Sequence, residues 1–572
     1  MNLEELKKEF ENDAPHVLLK LYEWAVKQPN KKFLYYGEEN QYITYTEFNE
    51  ITNRIGNSLR SMGVVKGDRI SLLLFNPLLT VSAMFGIWKA GAIFSPINFN
   101  YKGRLLSHQL NDTAPKYLIA EQALFHLLND VKDDVGALKV ITRIPKPGEH
   151  DYRDDLAHVE LDHKYEQLPY DDLLKGDTAD LNTEINYWDT ANIIYTSGTT
   201  GPAKGVVQSH RWMAQYTLNL RRLFHPDDVL YNDLPMYHVG GAISNFVRVV
   251  WAGGGIAMWD KFSPKEFWNR IEAGRANATT LLDVMVPWLM NAKESPRDRY
   301  NALKMVHMQP LPQYHNKVAK RFGIDFISGG YGQTEAGNGF VGMFDELEES
   351  EGTPKELYKG YSKEHIRESL KKWGYPLFSG KDEIKKGLMG RSVILEPAVL
   401  GEHDEELGPG QYGQLCFRSR VPYSMFDGYF NKPEATVKVF RNLWFHTGDA
   451  CYKDENDIYY FVDRMGGFIR TKGENISSYQ IEDIINSHSA VQISAALPIP
   501  AEDGEEDDIV VYVVLNESAE LSEESLRAWL KTEMPRFMWP KHVRFIDALP
   551  STATNKIEKY KLKQMILSEL KK

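Results

Sequence analysis

Tyr195-Thr196-Ser197-Gly198-Thr199-Thr200-Gly201-Pro202-Ala203-Lys204-Gly205 packs five hydroxyls, three glycines and one lysine into eleven residues. Ile193-Ile194 precedes the stretch and Val206-Val207 follows it. This is the chemistry of a loop that grips phosphates. Glycines let backbone N–H groups approach, hydroxyls donate to oxygens, and Lys204 supplies positive charge. A Walker A loop needs Gly directly before its Lys and Ser or Thr directly after. Here Ala203 precedes Lys204 and Gly205 follows, which disfavours a P-loop kinase or ATPase. A plain polar hairpin has no need of so many hydroxyls and glycines.

Working outward, the chain of 572 residues is too long for one core, and its length suggests roughly four domain-sized units. A hydrophobic fraction of 42%, with 12% aromatic, reads as globular with ample core. The formal net charge of −12 argues against nucleic acid as the main partner, because neutralising phosphates takes a basic face. Two cysteines, Cys416 and Cys451, cannot build a zinc site alone. They fit a reducing, cytoplasmic setting. The acidic start Met1-Asn2-Leu3-Glu4-Glu5-Leu6 reads as helix and not as a signal peptide. Residues 70–88 carry no charge, yet Asn76-Pro77 interrupts them. They are expected to be a buried strand (Ile70 to Phe75), a turn and a buried helix over residues 78–90, with no transmembrane segment.

The pattern predicts an α/β fold. Apolar strand candidates at 70–75 and 92–95 alternate with helical patterns, and the rhythm returns at 192–222 and 245–290. This implies mostly parallel sheets covered on both faces. Residues 345–386 are rich in Glu and Lys, with a helical patch at Ser362–Trp373. Such a charged connection is expected to be a solvated surface excursion or, if functional, a lid or subunit contact. Gly408-Pro409-Gly410-Gln411-Tyr412-Gly413 is a literal G-x-G-x-x-G. It is rejected as a dinucleotide site because it precedes a strand, Gln414–Arg418, instead of following one, and holds a proline. After residue 464 a compact α+β unit is expected: helix 478–488, strands near 491–497 and 508–515, and helix 522–533.

The first loop resembles the nucleotide loop of the adenylate-forming enzymes: acyl-CoA synthetases, peptide-synthetase adenylation domains and beetle luciferases. It keeps Thr196 through Gly201 and Lys204-Gly205, with Pro202-Ala203 where the family more often has x-Pro. Other segments resemble the family in chain order. Ser328-Gly329-Gly330-Tyr331-Gly332-Gln333-Thr334-Glu335 resembles its Y-G-x-T-E element. The resemblance implies that Tyr331 lies against the base, Thr334 donates to a phosphate, and Glu335, a hard oxygen ligand, takes the Mg²⁺ of ATP. It also places Gly329 and Gly330 beside the acyl pocket. Thr447-Gly448-Asp449 resembles the family's T-G-D, implying that Asp449 accepts both ribose hydroxyls while Arg464 closes over the sugar. Pro550 to Ile557 resembles P-x-T-x-x-G-K-I with Asn555 for glycine. Lys556 is then the catalytic lysine bridging the acid and the α-phosphate. Pro235 to Gly241 resembles P-x-x-H-x-x-G, placing His238 at the acyl pocket as a catalytic residue. Lys472-Gly473-Glu474 resembles the loop that lines the CoA tunnel.

Two departures stand out. Gly466 replaces the usual hinge Asp or Lys, and glycine absorbs φ/ψ change at little steric cost. Met308-Gln309-Pro310-Leu311-Pro312 replaces a Gly-Gly-Ala-x-Pro stretch in the acyl pocket wall. The resemblance implies an N-terminal AMP-binding part over 1–463, a hinge at 464–467, and a small mobile C-terminal domain over 468–572. It implies an AMP-forming acyl-CoA ligase that uses ATP, Mg²⁺, CoA and a small-molecule carboxylate, with carnitine-type acids among the candidates. A stand-alone enzyme loading a carrier-protein thiol stays open, as does a homodimer. A silent nucleotide-binding fold is disfavoured by Lys204, Glu335, Asp449 and Lys556 all being in place.

Overall fold

The computed structural model describes residues 2–570 apart from 197–202, 283–284, 466–467, 472–473, 502–506, 535 and 552–556. They divide into two compact units. One holds the residues up to Thr196, residues 203–397 and Phe417–Leu443; the other holds Ala398–Cys416 and the described residues from Trp444 onward.

The uncharged stretch after residue 69 shows how the first unit is built. Strand Arg69–Leu73 leads to Asn76, whose side-chain oxygen accepts the N–H groups of Leu78 and Leu79 at 3.0 and 3.1 Å. Pro77 takes the first helical position, where its missing N–H costs nothing. The helix Pro77–Lys89 is apolar on every side, and eleven of its thirteen residues are buried. It is a core helix. No helix among the described residues is long and apolar enough to cross a membrane.

Two large sheets form the unit, with the expected α/β character. The first runs, in spatial order, Gly428–Tyr429, Lys204–Ser209, Thr190–Thr196, Ile93–Pro96, Arg69–Leu73, Tyr117–Glu121, Lys139–Arg143, Glu166–Pro169. It is parallel except at the end that carries the phosphate loop, where Thr190–Thr196 and Lys204–Ser209 are antiparallel. The second has a parallel centre of Lys32–Tyr36, Gly255–Met258, Val229–Asn232, Ala278–Leu282, Met305–Gln309 and Phe326–Gln333. Gly337–Asp345 folds back antiparallel on the last of these. Phe33, Phe48, Phe85 and Phe246 meet with ring centroids 5.3–5.8 Å apart. They come from a strand, two helices and a π-helix, so this aromatic node ties distant parts of the chain together.

The charged stretch 345–386 is not a free excursion. Its helix, Lys363–Trp373, buries Ile366 and Leu370 in the main core. Lys363 pairs with buried Asp325 at 2.6 Å, and the ammonium of buried Lys304 donates to the Lys359 carbonyl. Arg222 lies 3.7 Å from the Trp373 ring centroid. Leu377–Ser379 then adds a parallel strand beside Gly337–Asp345. The apolar stripe at Ile366, Leu370 and Trp373 has helical spacing, and the surrounding charges mask it in the sequence.

The second unit pairs Trp444–Lys453 antiparallel with Tyr459–Arg464. It also holds the expected α+β fold: Val491–Pro500 antiparallel to Asp507–Leu515, which pairs in parallel with His542–Phe545. Helices Ser478–Asn486, Glu523–Glu533 and Lys559–Leu570 accompany them. The Asp463 carboxylate accepts both the N–H and the hydroxyl of Ser478, at 3.0 and 2.6 Å. Lys559 reaches the same hydroxyl at 2.5 Å and pairs with Glu482 at 2.7 Å. Cys416 and Cys451 are buried free thiols. By packing, residues 444–463 belong with this unit.

His16 and His210 face each other in the first unit with ring centroids 5.6 Å apart. Burial pulls them down to about 4 and about 3, from 6.5. Both therefore stay neutral in the fold while the unfolded chain takes up protons below 6.5. Stability should fall as pH drops from about 6.5 to about 4. A His16→Gln, His210→Gln variant should show a flatter profile of Tm against pH in that window. An unchanged slope would remove the pair as a source of acid sensitivity.

Candidate functional site

Thr196 ends one strand and Lys204 begins the next, directly opposite it. Between them, Ser197, Gly198, Thr199, Thr200 and Gly201 lie outside the described residues. The Lys204 ammonium stands 4.9 Å from the centroid of the Tyr429 ring. The Tyr429 hydroxyl donates to Glu335 Oε1 at 2.9 Å. A lysine from the phosphate loop and the carboxylate of the Y-G-x-T-E element are thus joined through one tyrosine.

Local structure fixes each member. Gly428-Tyr429 pairs with Val206-Val207, and the Phe430 N–H donates to the Gly205 carbonyl at 2.7 Å. Gly428 has φ +135°, a backbone state that side chains rarely adopt. The Glu335 carbonyl accepts the Phe426 N–H at 2.9 Å and the Trp212 indole N–H at 3.4 Å. The Thr334 carbonyl accepts from the Gln208 side chain at 2.9 Å. Gln208 and Trp212 follow the phosphate loop, so the loop's own continuation anchors the second motif. Burial and the neighbouring Glu335 charge push the Tyr429 phenol well above its usual range. It remains a donor at any physiological pH.

Tyr331 sits in strand Phe326–Gln333, nearly buried, its ring 6.1 Å from Phe340 and 6.2 Å from Phe417. Gly332 and Gln333 follow a bulge and pair with Asn338 and Gly337. A Cβ on Gly330 would lie 2.4 Å from the Phe340 carbonyl oxygen, so the strand pair cannot close around a larger residue. A Cβ on Gly329 would lie 2.9 Å from the Leu311 Cβ. Leu311 belongs to the unusual Met308–Pro312 segment, in which Gln309–Pro310 is cis. The segment thus forms a wall against Gly329.

His238 is exposed, and its Nδ1 accepts the Gly240 N–H at 3.1 Å. In the neutral ring this leaves the proton on Nε2. The chain continues as a π-helix, Gly240–Val247. Such irregular turns often mark functional sites.

Asp449 and Arg464 belong to the second unit, where they stand opposite each other across the strand pair. Asp449 is buried, and its N–H donates to the Thr447 hydroxyl at 3.1 Å. Gly448, inside the strand Trp444–Lys453, has φ +76°. Glu474 pairs with Thr471 in a two-stranded ribbon. Gly466, Lys472, Gly473 and Lys556 lie outside the described residues. The neck of the Lys556 loop is closed by a Ser551–Ile557 bridge and by the Glu558 N–H donating to the Pro550 carbonyl at 2.8 Å.

Among the described residues no three His, Cys, Asp or Glu side chains converge as a metal cage. Glu335 offers one carboxylate beside the phosphate loop. One carboxylate plus substrate phosphates is a usual way to hold Mg²⁺, so these residues suit a metal that arrives with ATP.

A chain with this fold and these motifs matches the family model for AMP-binding enzymes over residues 21–430, and the model for the C-terminal domain of those enzymes over 480–556. The chain belongs to the AMP-binding, adenylate-forming enzyme family. It is 27% identical to a crotonobetaine/carnitine–CoA ligase of Salmonella heidelberg, over 91% of this chain and 93% of that protein. It is 28% identical to the Escherichia coli O45:K1 protein of that name, over 92% and 94%. Its fold is similar to that of ATP-bound MatB from Rhodopseudomonas palustris, with TM-score 0.75, 23% identity and coverage of 96% and 98%.

Sequence reasoning missed Tyr429. The signal available was Gly428-Tyr429 ahead of Pro433-Glu434, but nothing local ties that pair to a residue 94 positions earlier. Tyr429→Phe should weaken MgATP binding by roughly tenfold, the usual scale for a hydrogen bond to a charged group. Calorimetry reads this, and unchanged affinity would remove Tyr429 from the nucleotide site. Gly330→Ala should lower Tm as well as affinity, because its Cβ meets backbone.

Proposed function

We propose that this chain is an AMP-forming carboxylate–CoA ligase. The observation that carries the reading is the Lys204–Tyr429–Glu335 group, set beside the glycine strand 329–330. Lys204 and residues 196–201 would hold the ATP phosphates, and Glu335 would hold Mg²⁺, which would supply charge neutralisation at the phosphates. Tyr331 and residues 330–334 line the adenine and phosphates. Asp449 accepts the ribose hydroxyls and Arg464 closes over them. His238, Gly329 and Gly330 border the acid.

In the first step a carboxylate oxygen of the acid attacks the α-phosphorus. The bond to pyrophosphate breaks, leaving an acyl-adenylate. The residues contribute mainly position and charge, with Lys556 offsetting the negative charge that gathers between the acid and the α-phosphate. In the second step the chain beyond the hinge at 464–467 turns about Gly466. Lys556 withdraws, and Lys472, Gly473 and Glu474 line the path of CoA. The thiol sulfur attacks the acyl carbon and AMP leaves with the bonding pair. On this reading residues 1–463 bind the nucleotide and acid, and residues 468–572 move. Two buried reduced thiols agree with a cytoplasmic enzyme. The names of the relatives support CoA as the thiol.

The halves can be separated. Lys556→Ala should lower adenylate formation by roughly 10²–10³ while sparing thioester formation from supplied acyl-adenylate. Gly473→Leu should do the reverse. Equal loss of both steps in either variant would refute the assigned roles.

A further inference from the structure

Arg248 is a buried cation. It begins the helix Arg248–Ala252, directly after the π-helix that follows His238. Its exposure is 5%. Among the described residues, no carboxylate pairs with it. Arg221 and Arg222, buried nearby in sequence, pair with Asp13 and Glu9. The one hydrogen bond from Arg248 is long, Nη2 to Asn245 Oδ1 at 3.4 Å, and its buried Nε has no acceptor. That Asn245 oxygen already accepts the Thr280 hydroxyl at 2.9 Å.

The neighbours are uncharged: the Phe224 ring centroid lies 5.9 Å from the guanidinium carbon, and the others are polar. His307 is buried, with Nδ1 3.0 Å from the Ser328 hydroxyl and Nε2 3.3 Å from Gln309 Oε1. Burial, then the Arg248 charge, hold it down at about 4, so it is neutral. Tyr216 is within electrostatic reach, and its ring lies 3.7 Å from where a Cβ on Gly332 would stand. Burial lowers Arg248 to about 10, which leaves it protonated at neutral pH. Ser328 precedes Gly329-Gly330, and Gln309 precedes the Leu311 wall. The cation is therefore kept among the residues that border the proposed acyl site. An unpaired buried charge is costly, and a ligand that brings its own anion would offset that cost.

We infer that Arg248 receives a second anionic group on the acid, so that the substrate is a dicarboxylate. The inference rests on the reading of the chain as an acid-activating ligase and names the class of acid. A guanidinium can hold a carboxylate through two parallel N–H bonds. It would repel the quaternary ammonium of a carnitine-type acid.

The test compares a homologous series of short diacids with their monomethyl esters and with carnitine, reading MgATP-dependent pyrophosphate release. Each diacid that is used should exceed its ester in kcat/KM by roughly 30-fold or more. Arg248→Met should abolish that preference by raising KM for the diacid. Arg248→Lys, which keeps charge without the fork, should restore part of it and stands in if the Met variant does not fold. Wild-type preference for esters or carnitine would overturn the inference, as would a diacid preference that survives Arg248→Met. Calorimetry of the diacids separates this from failure of the ligase reading. Diacid binding lost in Arg248→Met sustains the anion site even where no adenylate forms, and no diacid binding overturns it.

Discussion

The Tyr429 hydroxyl bonded to Glu335 is the contact on which the proposed nucleotide site depends. It joins three separate parts of the chain. Lys204 lies over the ring, Glu335 accepts from the hydroxyl, and the short Gly428-Tyr429 strand pairs beside the phosphate loop. A phosphate grip needs cations and donors near the loop, and a metal carboxylate close by but not touching the lysine. A tyrosine between them meets both needs. Its ring face attracts the ammonium, and its hydroxyl orients the carboxylate.

The surrounding fold serves that spacing. The antiparallel pair 190–196 and 204–209 projects the loop, and Gln208 and Trp212 then reach across to the carbonyls of Thr334 and Glu335. Gly330 allows the two strands behind Tyr331 to approach until only backbone separates them. The aromatic node at Phe33, Phe48, Phe85 and Phe246 holds the helices between the sheets. The 345–386 stretch extends the same sheet edge, with several of its charges in ion pairs.

Much of this is legible in the sequence because the evidence lies in contiguous residues. Apolar runs at 70–75 and 92–95 appear as strands Arg69–Leu73 and Ile93–Pro96, and Asn76-Pro77 marks the helix start. The phosphate loop and the Gly329–Glu335 run declare their chemistry locally. What stays hidden depends on contacts across the chain. Tyr429 looks like any turn tyrosine until Glu335 is beside it. Ile366 and Leu370 are a stripe of two within a crowd of charges. Arg248 reads as an ordinary helical arginine, since the sequence cannot show that no carboxylate among the described residues pairs with it. Lys556, Gly473 and Gly466 rest on the resemblance alone.

The central claim is that this chain activates a carboxylic acid as its adenylate and passes the acyl group to CoA. Mass spectrometry of the products formed from protein, MgATP and a mixed panel of mono- and dicarboxylic acids, with and without CoA, tests it directly. The account predicts acyl-adenylate without CoA, and acyl-CoA with AMP when CoA is present. An adenylate that persists in the presence of CoA, or ATP left unconsumed with every acid, would contradict it.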